Sequence, residues 1–234
     1  NLYFVSPKGF RLYDATKMFI PEKKLREIFN WRLRLSAVID EKISTAKPEQ
    51  IIDFGSGYSL RGFNLCTDDN SLNYVDADLS SVTSRKKKIL EKMCLEKNFA
   101  FPKNYHIVSL NVLGDNLFEE IGGVIDANKN TLIIAEGLTS YFSKDEFASF
   151  INNTRSLLKN FRHAEFYSHE NISQPKGILY KILRYVFVSI LTRSRGRRGF
   201  DNIEEFKKYL GGLGAKFALD TSKDGFLFYS LFKD

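Results

Sequence analysis

The chain reads as an α/β domain built on a mostly parallel seven-stranded sheet with helices on both faces, and three observations predict it. Short runs rich in β-branched and aromatic residues alternate with stretches of helical period, the sign of parallel strands joined by crossover helices. A glycine-bearing bend, GSG, follows the first strand-like run directly. The length of 234 residues, 43% of them hydrophobic, supplies a core for one such domain and excludes a disordered chain.

The elements follow in order. Residues 21–47 carry a helical pattern that forms an N-terminal helical cap over 1–49. QIIDF, residues 50–54, reads as a buried parallel strand. GSGYS is then a tight turn, and LRGFNL opens a short helix. Strands are predicted at 72–76, 105–109, 131–135 and 164–168, with helices at 81–97, 117–127 and 144–160 between them. Ser143 with Glu146 three residues on forms a capping box at the start of the last of these. A helix at 203–213 and strands near 216–219 and 225–232 complete the pattern. Residues 177–193, GILYKILRYVFVSILTR, stand outside the alternation. They are too short and too interrupted by Lys181 and Arg184 to span a bilayer; they suit a helical lid within 171–200, an amphipathic surface helix or a core-packing helix.

Composition narrows the function classes. The two cysteines, Cys66 and Cys94, lie in no CxxC pair and near no histidine at ligand spacing, so neither a disulfide framework nor a zinc site is expected; both read as small core residues of a protein in a reducing, cytoplasmic compartment. No membrane span or signal-peptide layout is present in the sequence. The opening NLYF resembles part of a protease-tag site, and Asn1 to Phe4 receive no functional weight. The formal charge of +7 favours acidic partners without identifying one. Much of it lies in RKKK (residues 85–88), read as a solvated helix face, and RSRGRR (residues 193–198), a loop with a substrate or membrane role or none.

The bend after the first strand carries the chemistry. Gly55 and Gly57 admit positive φ and close approach of another group at the carboxyl end of a parallel strand, where a ligand meets backbone N–H groups and a helix N-terminus. A dinucleotide turn wants a third glycine where this chain has Leu60, which disfavours an NAD-type oxidoreductase, and no G-K-[ST] follows to make a P-loop. Asp53-x-Gly55-x-Gly57 is instead the turn favoured by enzymes that bind S-adenosylmethionine. NYVDADL then ends the second strand with Asp76 and Asp78, placed to accept from ribose hydroxyls or, alternatively, to cap the helix that starts at DLSS.

IIDFGSGYSLRGFNL, NYVDADLSSVTSRKKKIL and TLIIAEGLTSYFSKDEFASFI resemble three successive motifs of the leucine carboxyl methyltransferase family, in order and with compatible spacing, over residues 32–161; AEFYSHENI is similar to the family's next strand. The resemblance implies a Rossmann-like class I methyltransferase fold and S-adenosyl-L-methionine as cofactor. It places Arg34, with Arg32 as its neighbour, at the cofactor's methionine carboxylate. Gly55 would lie beside the cofactor, Asp78 at the ribose, Ser109 and Leu110 near the adenine, and Glu136 at the cofactor edge of the pocket. The family's N-terminal lysine is matched by Lys17 or Lys8. Ser109 stands where relatives often carry an acid, and Ser56 and Tyr58 replace the small residues usual in the glycine turn, departures that bear on cofactor affinity more than on fold.

The reaction expected from this resemblance is methyl transfer to a carboxylate or hydroxyl of a small molecule or peptide terminus, an in-line displacement that gains chiefly from alignment. A carboxylate acceptor is already ionised and needs only orientation, from groups such as Tyr141, Arg195 or Arg198. A hydroxyl acceptor gains from a general base, for which His169 with Glu170 is the candidate; His106 and His163 read as structural. The alternative is a catalytically inactive relative that binds membranes or acidic partners through Ile178 to Arg198. Nucleic acid is not an expected partner, because no D/N-P-P-Y-like motif or interleaving of aromatic and basic residues appears.

Overall fold

β-Branched and aromatic runs settle into strands here because every second side chain finds a different apolar layer. In the computed structural model, which describes residues 22–170 and 200–233, fifteen elements follow one another. Helix α1 (Glu22–Ala46) precedes β1 (Gln50–Phe54), α2 (Arg61–Asp68), β2 (Asn73–Asp78), α3 (Ser80–Glu96) and β3 (Tyr105–Ser109). Then come α4 (Leu117–Ile121) with a 3-10 turn at Gly122–Val124, β4 (Asn130–Ala135), a 3-10 turn at Thr139–Tyr141, and α5 (Lys144–Leu158). β5 (His163–Glu170), α6 (Ile203–Gly212), β6 (Phe217–Thr221) and β7 (Leu227–Phe232) close the order.

The seven strands form one sheet in the order β3-β2-β1-β4-β5-β7-β6, parallel except where β7 runs against both β5 and β6. Alternation along the strands divides the core in two. Ile52, Phe54, Val75, Ala77, Ile133, Ala135 and Phe166 point to the face covered by α4, α5 and α6. Ile51, Tyr74, Leu132, Ile134, Tyr167 and Phe228 point to the other face, where Leu35, Ile39 and Ile43 of α1 pack with Phe63 and Cys66 of α2 and Leu90 and Cys94 of α3. The C-terminal half of α1 therefore lies on the sheet as one of its covering helices.

Most expected elements occur within a few residues of their predicted ends, and the capping box at α5 forms: Ser143 Oγ accepts from the Glu146 amide at 3.2 Å and Glu146 Oε2 accepts from the Ser143 amide at 2.7 Å. The helix expected at 117–127 stops at Ile121, because Gly122 and Gly123 follow it. The RKKK run requires correction. Lys86 is fully buried, since it shares the inward stripe of α3 with Thr83, Leu90 and Cys94, while Arg85, Lys87 and Lys88 stay exposed. The segment expected as lid or surface helix, with Arg195 and Arg198, and the lysines Lys8 and Lys17 lie outside the described residues.

Candidate functional site

Strand order reverses between β1 and β4, which are neighbours in the sheet although β2 and β3 intervene in sequence, and in open α/β sheets such a switch point is where a ligand crevice lies, outside the carboxyl ends of the central strands. Register decides what faces it. Phe54 pairs with Ala77, Asp78 with Ser109, and Asp53 with Ile134. One step further along β1, Ser109, Asp78, Gly55 and Glu136 stand at one level across four adjacent strand ends. Four of the residues expected at a cofactor thus form a single row.

The backbone at this level is held open. Gly55 and Gly57 have φ of +67° and +54°, values that disfavour any side chain. A Cβ on Gly55 would meet the Leu138 side chain at 3.0–3.2 Å, whereas one on Gly57 would meet no neighbour nearer than 4.0 Å. The Gly55 amide still donates to the Ala77 carbonyl at 2.8 Å, so the turn starts only after the ladder ends. Asp78 braces it: Oδ2 accepts from the Gly57 amide at 2.8 Å and Oδ1 from the Leu79 amide at 2.7 Å. It does not cap α3, whose N-cap is Leu79 and has no side-chain cap. Ser109 Oγ lies 2.7 Å from Thr83 Oγ1, and Leu110 is buried with its amide on the Asp78 carbonyl at 2.9 Å.

Below the row, two residues back along the same strand faces, a second polar layer is buried. Asp53 and Asp76 are register partners and 2% and 1% exposed, so neither carboxylate reaches the crevice surface. Asp53 accepts from the Tyr74 hydroxyl at 2.9 Å; Asp76 accepts from Lys86 Nζ at 2.5 Å and from the Tyr105 hydroxyl. Burial, reinforced by Asp76, pushes Asp53 up to about 7 against the pull of Arg61. Burial likewise raises Asp76, although Lys86 opposes it.

Sequence reasoning missed Arg61, the first residue of α2. Its Nε donates to Asp40 Oδ1 at 2.6 Å, Nη2 donates to Ser36 Oγ at 2.7 Å and Glu136 Oε2 at 2.6 Å, and Nη1 lies 3.7 Å from Asp53 Oδ2. Burial works against the guanidinium's charge, but Tyr74, Asp53 and Glu136 outweigh it and hold the proton more firmly than usual. No spacing rule marks such a residue, because its partners come from three distant segments. Gly62, next along, supplies the close helix-to-sheet approach that a third turn glycine would give: a Cβ there would lie 2.5–2.8 Å from the rings of Tyr74 and Tyr105.

The remaining candidates spread around the rim. Arg34 is half-exposed and 3.9 Å from Asp224, while the Arg32 guanidinium lies over Gly137, where a Cβ would come within 3.2 Å of its Nη1. Of the two neighbouring arginines, Arg32 is thus the one that reaches the turn after β4. Tyr141 is exposed on the 3-10 turn after β4. His169 and Glu170 are buried at the end of β5, with the His169 ring 6.5 Å from that of Trp31 and 6.2 Å from that of Phe228. Cys66 and Cys94 are buried free thiols, and burial pushes Cys66 up to about 12.

Comparison with known proteins bears on family and fold. A Caenorhabditis briggsae protein named "Probable leucine carboxyl methyltransferase 1" is 26% identical over 168 residues, 64% of this chain and 47% of that protein. The S-adenosyl-L-methionine-dependent methyltransferase dpfgK of Gibberella zeae is 24% identical over 169 residues, 71% of this chain and 53% of that one. The chain spans about half the length of these curated relatives. Among solved structures, an O-methyltransferase family protein from Burkholderia thailandensis shares the fold at a TM-score of 0.56 and 14% identity, covering 94% of this chain and 62% of that one. Residues 3–155 match the family model described as leucine carboxyl methyltransferase, and the chain belongs to that family.

Proposed function

We propose that the protein binds S-adenosyl-L-methionine in the crevice above β1, β2, β3 and β4 and transfers its methyl group to a carboxylate or hydroxyl of a small molecule or peptide terminus. The observation that carries the reading is the row of Ser109, Asp78, Gly55 and Glu136 at one level, with the main chain bare at Gly55 and Gly57. Asp78 offers its carboxylate to the ribose hydroxyls from a position fixed by the Gly57 amide. Ser109 and Leu110 border the adenine. For the methionine carboxylate, the place of Arg32 over Gly137 favours it over Arg34, whose guanidinium lies by Asp224. A guanidinium grips a carboxylate with two parallel donors, so its position decides which arginine serves.

The cofactor supplies an electrophilic sulfonium methyl, and the chain's own residues hold it and orient the acceptor. Carboxyl transfer agrees with the family name and asks for no general base. His169 is buried, with Trp31 and Phe228 as ring neighbours, and is poorly placed to receive a proton from an entering acceptor. Tyr141, exposed on the 3-10 turn after β4, is the better placed orienting group.

Two measurements test the reading. Calorimetry should show S-adenosyl-L-methionine binding that Asp78→Ala weakens by about tenfold or more, consistent with loss of hydrogen bonds to a charged group, with Arg32→Ala costing more than Arg34→Ala. Transfer of labelled methyl into a cell extract should give a base-labile product if the acceptor is a carboxylate. No binding by the intact chain would end the proposal, and a base-stable product would remove its carboxyl arm.

A further inference from the structure

We infer that Arg61 is a positioning residue of the cofactor site, holding the Glu136 carboxylate in place from the buried layer beneath; the inference rests on the crevice being the cofactor site. Glu136 belongs to no regular element. It lies between β4, which ends at Ala135, and the turn at Gly137, which has a φ of +78°. A carboxylate on such a bend has freedom that must be removed if it is to meet a ligand in one orientation. The described contact that removes it is the 2.6 Å bond from Arg61 Nη2.

Arg61 is fixed from three sides. Both hydrogens of Nη2 are used, one on Glu136 and one on Ser36 of α1; Nε is bonded to Asp40 of the same helix, and Nη1 stands against Asp53 of β1. The side chain is only 8% exposed, and the planar fork admits one orientation that satisfies all of these partners. Arg61 therefore ties the row at the crevice to the layer below and to the covering helix α1. A lysine reproduces the charge but not the fork. Glu136 keeps a second oxygen, Oε1, for a ligand, and its side chain remains 23% exposed for that purpose.

The test is a double-mutant cycle on S-adenosyl-L-methionine affinity, with thermal melts to confirm folding. Arg61→Gln and Glu136→Gln are each expected to weaken binding by about tenfold or more, the scale of a hydrogen bond to a charged group. The double variant should lie within about twofold of Glu136→Gln alone, because an arginine acting through Glu136 has nothing left to position. Arg61→Lys should recover part of the loss. Multiplying losses would show that Arg61 acts independently of Glu136 and overturn the inference, as would wild-type affinity in Arg61→Gln. If Arg61→Gln does not fold, Ser36→Ala with Asp40→Asn loosens the guanidinium from α1 and enters the same cycle with the same expectations. An intact chain with no affinity for the cofactor overturns this inference and the proposed function together; a binding chain indifferent to Arg61 overturns the inference alone.

Discussion

Asp53 is the residue whose chemistry differs most from what its letter implies. Next to the glycine turn it reads as part of a cofactor motif, yet its carboxylate is buried beneath that turn, against Tyr74 and in register with Asp76. Its folded-state value of about 7, against an ordinary 3.8, means the folded chain binds this proton more tightly than the unfolded chain does. The contribution to stability is complete below the ordinary value and is lost as pH climbs through about 7. Asp53→Asn, which imitates the protonated form, should therefore flatten the decline in melting temperature between weakly acid and weakly alkaline buffer and raise stability on the alkaline side. Lys86 shows the opposite case, a cation whose removal strands an anion. Lys86→Met should cost about 3–5 kcal/mol in urea unfolding, and adding Asp76→Asn should return most of it. The sequence concealed both roles for the same reason: burial of a charge depends on what packs over it. A partial signal did exist for Lys86, which falls on the helical stripe of Thr83, Leu90 and Cys94.

At the scale of elements, legibility followed covering. Strands buried on both faces, such as QIIDF and TLIIA, announce themselves as short runs dominated by apolar residues, and the glycine turn between β1 and α2 was readable because glycine takes its positive φ at least cost. What stayed hidden was how closely α2 approaches the sheet. Gly62→Ala would normally favour a helix by up to about 1 kcal/mol. Here the added methyl would enter the rings of Tyr74 and Tyr105, which cannot swing aside freely because their hydroxyls are bonded to Asp53 and Asp76. The clash should dominate and destabilise by about 1–3 kcal/mol, seen as an earlier urea midpoint with unchanged slope. The same crowding explains why a turn without a third glycine still seats its helix.

For the molecule as a whole, the sheet is a partition with the proposed ligand row on one rim and a separate apolar layer on each side. Occupation of the row should stabilise everything it is tied to. At a ligand concentration of one hundred times the dissociation constant, S-adenosyl-L-methionine should add about 2.7 kcal/mol. For a domain of this size that is a rise in melting temperature of about 5–10 °C, growing with the logarithm of ligand concentration. NAD should give none, and an equal rise with NAD would contradict the cofactor assignment. The acceptor is less legible than the cofactor, because the proposed cofactor contacts come from strand ends fixed by sheet register, whereas Tyr141 is exposed on a 3-10 turn that register does not constrain.

The chain holds a single tryptophan, Trp31, whose indole meets Phe226 edge-on at 5.5 Å and the His169 imidazole at 6.5 Å. Its fluorescence is accordingly a native optical gauge of how the N-terminal helix seats on the strand ends. Partial detachment of that helix would register as a spectral shift before the rest of the molecule melts, without any dye or engineered label.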